Sequence, residues 1–244
     1  MVVHTCGYIK INSPLVVSKE VFQIIGNWVL EDSNGRIQRA IELSPNFEPI
    51  LDENALVLSG KIFFERSFTV RSLVRRRGRI QQIEKPDFYH EEIEFFIDLT
   101  TRYGVVSPYK YYNVALEVLT AAIPQQTDLH SQVSPVLFKL GSLSRDFPRQ
   151  WKGLASKTGG KVRTLVLYGD DIQEDEEFGE GYRKAIKNSI GIYTSYFTNG
   201  RGEEKILVGR RGNIVFYNRK QYDKILGFLK DVLMPYVENP VRIE

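Results

Sequence analysis

The 244-residue sequence predicts an α/β (α+β) fold, a central mixed β-sheet flanked by helices and extended by additional β-hairpins. Three observations carry that expectation. Between residues 55 and 101 the chain passes through segments rich in Val, Ile, Phe and Thr, interrupted near Gly60, Gly78 and Glu91, which is the pattern of successive antiparallel hairpins. Two stretches, one behind Ser18 and one behind Ser107-Pro108, repeat apolar residues at helical spacing. From residue 93 onward the order reads strand, helix, strand, helix, strand, an alternation that implies layers and a partly parallel sheet.

Taken in order, 18–31 predicts the first helix. Val21, Ile24, Ile25, Trp28 and Val29 share one face, and the Ser18 hydroxyl is placed to cap free N–H groups. Asp32 to Gly35 ends that helix, and 36–54 reads as irregular. Strands are expected over 55–58, 61–70, 79–83 and 93–101. In the second helix Tyr112, Ala115, Leu116, Leu119, Ala122 and Ile123 fall on one face and Lys110, Asn113 and Glu117 on the other. Residues 124–134 read as a polar loop, 135–140 as a short buried strand, 149–157 as a helix and 162–168 as an inner strand. The remainder predicts a helix, hairpin strands over 190–198, 205–209 and 213–217, and a final helix to 237. The domain reading is an α/β core over 1–175 and a β/α extension over 176–244, with no low-complexity linker between them.

Composition excludes several classes. A single thiol, Cys6, cannot form an internal disulfide, and with three scattered histidines (His4, His90, His130) a structural zinc site is not expected. No apolar run reaches the roughly 18 residues that a membrane-crossing helix needs. A cytoplasmic protein with no membrane partner is the expectation. The 33 Lys+Arg and 30 Asp+Glu give a net charge of +3, too small by itself to announce a polyanionic partner. Distribution says more: Arg71, Arg75, Arg76, Arg77 and Arg79 cluster, as do Arg201, Lys205, Arg210 and Arg211, whereas acids crowd 170–180.

The segment 85–103 holds the candidate chemistry. Asp87 follows Pro86 at the expected start or bend of a strand, and Asp98 lies eleven residues later among Phe95, Phe96, Ile97 and Leu99. An ionised carboxylate in an apolar strand must face outward or be paired, because unpaired burial costs several kcal/mol, on the order of 3–5. A hairpin that brought both carboxylates to one sheet edge would offer the oxygens a divalent cation such as Mg²⁺ requires.

Pro86-Asp87, the apolar strand ending in Asp98 and the helix–strand order that follows resemble the PD-(D/E)xK nuclease superfamily, the restriction-endonuclease-like fold, over roughly residues 80–170. The resemblance implies Mg²⁺-dependent hydrolysis of DNA, with Asp87 and Asp98 as metal ligands, a lysine steering the attacking water, and a homodimer or larger protein partner. The family's lysine position, two residues past the second acid, is Thr100 here. Lys110, at the start of the second helix, is the candidate substitute; Lys85 and Arg102 are weaker ones, since a guanidinium stays protonated. Glu20 and Glu65 are candidates for a third acid. A relative that kept the fold only for binding is the alternative reading, and a structural or assembly protein is a third.

Arg75, Arg76, Arg77 and Arg79 stand where one hairpin should turn, and Arg210 and Arg211 at a second, between Gly209 and Gly212. Guanidinium groups on protruding turns suit DNA phosphates and guanine edges, though they also serve as solvated, edge-protecting charges. Tyr109, Tyr111, Tyr112, Tyr193, Tyr196, Phe197, Phe216 and Tyr217 could stack on bases, but ordinary sheet core accounts for such aromatics. Tyr168-Gly169-Asp170-Asp171 spells a polymerase-like string without the upstream acidic strand that chemistry needs, so it reads as a strand running into a turn.

Overall fold

A computed structural model describes residues 4–15, 18–44, 57–76, 79–124, 132–146, 152–156, 164–167, 175–181, 189–198, 202–218 and 220–241. Its strands are β1 (His4–Ile11), β2 (Val29–Glu31), β3 (Ile37–Leu43), β4 (Val57–Arg76), β5 (Arg79–Asp98), β6 (Tyr103–Ser107), β7 (Val133–Pro135), β8 (Leu137–Phe138), β9 (Lys152–Ser156), β10 (Thr164–Leu167), β11 (Ser189–Thr198), β12 (Gly202–Gly209), β13 (Asn213–Phe216) and β14 (Val237–Glu238). Its helices are α1 (Lys19–Gly26), α2 (Tyr112–Ala122), α3 (Leu140–Asp146) and α4 (Tyr222–Phe228). The chain continues from α4 through a π-helical turn, Leu229–Leu233, and a 3-10 turn, Met234–Tyr236.

Eleven strands form one sheet in the order β10-β9-β11-β12-β13-β1-β6-β5-β4-β3-β2, with β7 also on β1. Every pairing among the described residues is antiparallel, so the architecture is α+β and the partly parallel sheet expected from the strand–helix alternation does not form. The expectation failed because three strands were misread or missed: β3 lies in the stretch read as irregular, β6 follows β5 directly as a hairpin, and β9 occupies the stretch read as a helix. The segment after 175 supplies β11, β12 and β13 to this same sheet.

β1 is the centre of the assembly. One of its edges pairs with β6; the other is shared end to end by β13 and β7. Side chains alternate across it, so Cys6 and Tyr8 enter one core and Ile9 and Ile11 the other. The first core joins β1, β6 and β13 to α3, α4 and the C-terminal turns through Phe138, Leu143, Ile225 and Leu229. The second joins β4 and β5 to α1 and α2 through Phe22, Ile25, Ala115 and Leu119. α1 begins where Ser18 predicts, its Oγ accepting from Val21 N–H at 3.2 Å. Asn27 caps its end at once, so Trp28 and Val29 leave the helix and β2 starts there.

Where β13 gives way to β7 along β1, the Gly212 carbonyl accepts from Tyr8 N–H at 2.9 Å, and Gly212 holds a φ of +76°. A Cβ there would meet Val136 O at 2.7 Å and Tyr8 O at 2.8 Å, whereas Gly35, at φ +75°, has open space around it. Gly35→Ala therefore carries only the left-handed backbone penalty, about 1–2 kcal/mol, and Gly212→Ala carries that plus displacement of two carbonyls. We expect Gly212→Ala to lower unfolding free energy by at least about 1 kcal/mol more than Gly35→Ala in urea titrations. Equal losses would show that the close approach to β1 is not felt.

The sheet's longest feature lies at β4 and β5, which pair without a register shift from Val57↔Asp98 to Arg76↔Arg79. β3 covers β4 only over Gly60–Phe64, and β6 covers β5 only over Glu94–Asp98. Among the described residues, the twelve pairs from Glu65↔His90 outward have no third strand. They form a two-stranded arm extending about 40 Å at the usual rise per residue.

Candidate nucleic-acid interface

The unbroken ladder decides where the two candidate acids lie. Asp87 and Asp98 belong to the same strand, eleven residues and therefore about 35 Å apart. An odd step along a strand also turns them to opposite faces. Ligand distances near 2.1 Å put one shared cation out of reach, so the expected pairing of Asp87 with Asp98 on Mg²⁺ is not assembled. The bend expected near Glu91, which would have brought them together, is absent: Pro86 pairs opposite Thr69 inside the ladder, on an arm with open edges where proline is tolerated. Among the described residues no group of three or more His, Cys, Asp or Glu side chains is placed to hold a metal.

Asp98 is nevertheless a buried charge with every oxygen engaged. Lys230 Nζ, from the turn after α4, donates to its Oδ2 at 2.6 Å, and the N–H groups of Thr100 and Thr101 donate to Oδ1 at 2.9 and 3.1 Å. Burial alone would raise its pKa; the Lys230 bond, with those from Thr101, outweighs it and holds the carboxyl below its ordinary value. Asp98 thus closes the β5–β6 turn and ties it to the C-terminal layer. The sequence signal for this role is an acid followed by Leu-Thr-Thr-Arg between two apolar strands, where Asp takes N–H groups two and three residues on. Asp87 is exposed, with Oδ1 accepting only a local bond from Phe88 N–H at 2.8 Å in the described contacts.

Lys110 faces neither acid. It stands in the 3-10 turn Tyr109–Tyr111, with Nζ 4.0 Å from a Glu91 oxygen and 4.2 Å from the Tyr111 ring centre. Tyr111 and then Glu91 raise its pKa, so it stays protonated and is poorly suited to activate water. Of the third-acid candidates, Glu65 sits 3.1 Å from Arg36 Nε, and Glu20 is exposed on α1. His4 and Ser107 do meet, Nε2 to Oγ at 3.3 Å, but Lys220 N–H donates to His4 Nδ1 and Ser107 donates to Thr5 O. With Nδ1 accepting, the imidazole presents an N–H to the serine rather than a lone pair.

Several other candidates resolve simply. Residues 168–171 and Glu174 lie outside the described residues, and Asp175–Glu177 form an exposed turn in which Asp175 accepts from Glu177 and Phe178 N–H. Tyr111, Tyr112 and Phe216 are core side chains, and Tyr109 stacks on Tyr112 rather than offering a free ring. The side chains of Tyr193, Tyr196 and Phe197 lie outside those described.

The basic turns are both present but not adjacent. Arg210 and Arg211 are exposed between β12 and β13, at the level of Tyr8, Val105 and Phe96 across the sheet. Arg75 pairs with Ile80, sixteen residues further along β5 than Phe96, which separates the two turns by about 50 Å. Arg75 is exposed; Arg76 and Arg79 form the last pair of the ladder with side chains outside those described, and Arg77 is outside the described residues.

The arm alone collects the charge. Over residues 65–90 it carries seven basic residues (Arg66, Arg71, Arg75, Arg76, Arg77, Arg79, Lys85) and three acidic ones (Glu65, Glu84, Asp87), a net +4. The whole chain is +3, so the rest is net −1. The arm also exposes apolar side chains that a lone sequence segment does not betray: Leu73 is 73% exposed and Ile80 72%, with Phe68, Val70, Phe88 and Tyr89 partly so.

Two clamps hold the arm's root. On one face Tyr111 donates its hydroxyl to Glu91, while Arg66 and Lys110 flank that carboxylate at 3.7 and 4.0 Å. The Tyr111 bond is the largest effect and lowers the Glu91 pKa; burial opposes it, and Lys110, Tyr89 and Arg66 add smaller lowering effects. On the other face Arg36, held by Asp32 at 3.2 Å, reaches Glu65 and lies 4.0 Å over the Phe88 ring.

No model of a known protein family matches the chain, and comparison with curated proteins also gives no match. The function must therefore be argued from the arm and its charge.

Because the folded pKa of Asp98 lies below its ordinary 3.8, its ionised form stabilises the fold fully above about pH 4, and that stabilisation is lost as pH falls through the folded value. Asp98→Asn keeps an acceptor for the two threonine N–H groups but removes the ion pair. It should cost about 1–2 kcal/mol at pH 7 and flatten the stability profile below pH 4, read by urea unfolding from pH 2 to 7. An unchanged profile would remove Asp98 from its structural role.

Proposed function

We propose that this chain is a nucleic-acid-binding protein that grips the DNA phosphate backbone with the β4–β5 arm and does not cleave it. One observation carries the reading: a net +4 concentrated on a narrow ribbon, on a chain whose remaining residues sum to −1. Clustered Arg on a projecting element is the electrostatic footprint of a polyanion-binding surface, and the negative body favours contact through the arm alone. Separation of Asp87 from Asp98 supports the non-catalytic half of the proposal.

The expected measurement is a salt titration of binding to a 20-base-pair duplex by fluorescence anisotropy. Four phosphate contacts correspond to a slope of log K against log salt of about −3.6, and Arg71→Ala with Arg75→Ala should reduce its size by about 2. A slope near zero, or one unmoved by the double substitution, would overturn the reading. Mg²⁺-dependent nicking of supercoiled plasmid, abolished by EDTA, would overturn the non-catalytic part.

A further inference from the structure

We propose that one face of the arm near its tip enters the DNA major groove and reads A·T pairs there, with Leu73 and Ile80 against thymine methyl groups and Gln82 on an adenine edge; this rests on the nucleic-acid reading above. The ladder fixes which side chains share that face. Successive pairs Arg71↔Glu84, Leu73↔Gln82 and Arg75↔Ile80 are two residues apart on each strand, so all six project the same way. Leu73 and Ile80 occupy neighbouring pairs diagonally, close enough to form one aliphatic patch, and both are more than two-thirds exposed.

Such a patch at the end of a projecting ribbon is surface held ready for a partner, and its surroundings identify the partner's chemistry. Arg71 and Arg75 bracket Leu73 on the same strand, about 13 Å apart at the usual rise, which matches the roughly 12 Å width of a major groove between its phosphate walls. That groove admits a two-stranded ribbon, and it presents the thymine methyl for apolar contact and the adenine N6/N7 pair for a glutamine amide. Leu73, Ile80 and Gln82 are those types, and all three side chains are exposed and turned outward. Arg71 is engaged by Glu84 at 2.8 Å in the free protein. Both partners of that pair are solvent-exposed, so exchanging the carboxylate for a phosphate costs little. An anionic lipid surface would also attract the charge, but it offers no use for an amide beside the aliphatic pair, and two aliphatic side chains give little depth of insertion.

The test compares 20-base-pair duplexes of alternating dA·dT, alternating dA·dU and alternating dG·dC at one salt concentration. The dU duplex differs from the dT duplex only in lacking the methyl groups. Wild-type protein should prefer dA·dT over dA·dU by about four-fold per methyl contacted, a total of about 4- to 15-fold. Leu73→Ala with Ile80→Ala should erase that preference while leaving the salt slope intact, and Gln82→Ala should narrow the dA·dT to dG·dC ratio. Because all three positions are exposed, thermal unfolding of the variants should match wild type, which separates lost contacts from lost folding.

Equal wild-type affinity for dA·dT and dA·dU, with a steep salt slope retained, overturns the major-groove assignment and leaves phosphate gripping standing. Methyl discrimination that survives in the double variant overturns the residue assignment. No salt-sensitive binding to any duplex overturns both readings, and so does binding to vesicles of 30% phosphatidylserine without binding to duplex.

Discussion

Twenty consecutive antiparallel pairs without a bulge constrain this molecule more than any other feature. A bulge or turn in β5 would have reset the side-chain period and bent the strand. Its absence sends Asp87 and Asp98 to opposite faces, aligns the pairs Arg71↔Glu84, Leu73↔Gln82 and Arg75↔Ile80 on one face near the tip, and carries the two strands far beyond their described neighbours in the sheet. Each consequence follows from the two-residue period and the rise per residue, not from the chemistry of any single side chain.

A two-stranded ribbon of this length has no hydrophobic face to bury and would be marginal alone. Its stability comes from the root. Below Glu65 and His90 the same strands enter a sheet buried by α1 and α2, with Ile62, Phe64, Ile93 and Phe95 in the core. At the boundary the contacts change from apolar to charged: Glu91 with Tyr111, Arg66 and Lys110 on one side, Arg36 with Glu65 and Phe88 on the other. Individually such ion pairs contribute little, but together they contact both faces of the ribbon at its root.

The sequence was most legible where burial imposes a period. α2 with its apolar face, the Ser18 cap, and the strands at 190–198, 205–209 and 213–217 all follow from local pattern; α2 and the last strand each bury one face against a core. Legibility failed where tertiary pairing overrode local cues. Glu91 and Glu92 looked like a break because charges interrupt an apolar run, yet one answers Tyr111 and the other pairs with Lys61 at 2.8 Å. Residues 152–156 read as helical, but they are held between β10 and β11. Asp98 attracted attention correctly as a charge in an apolar strand. Its partner, Lys230, lies 132 positions away, and no local pattern could separate a salt-bridged turn acid from a metal ligand.

The charge division also argues for how the proposed complex forms. A uniformly basic protein of net +3 would meet DNA in any orientation, whereas here the positive excess sits at the end of a lever and the body repels. Long-range attraction then acts mainly on the tip and orients the encounter before any contact is made. Clamping at the root adds a second effect, since a ribbon already fixed in direction loses less freedom on binding than a mobile one. Salt weakens both the phosphate contacts and the exposed ion pairs at the root, so the arm's affinity and its rigidity should decline together as ionic strength rises.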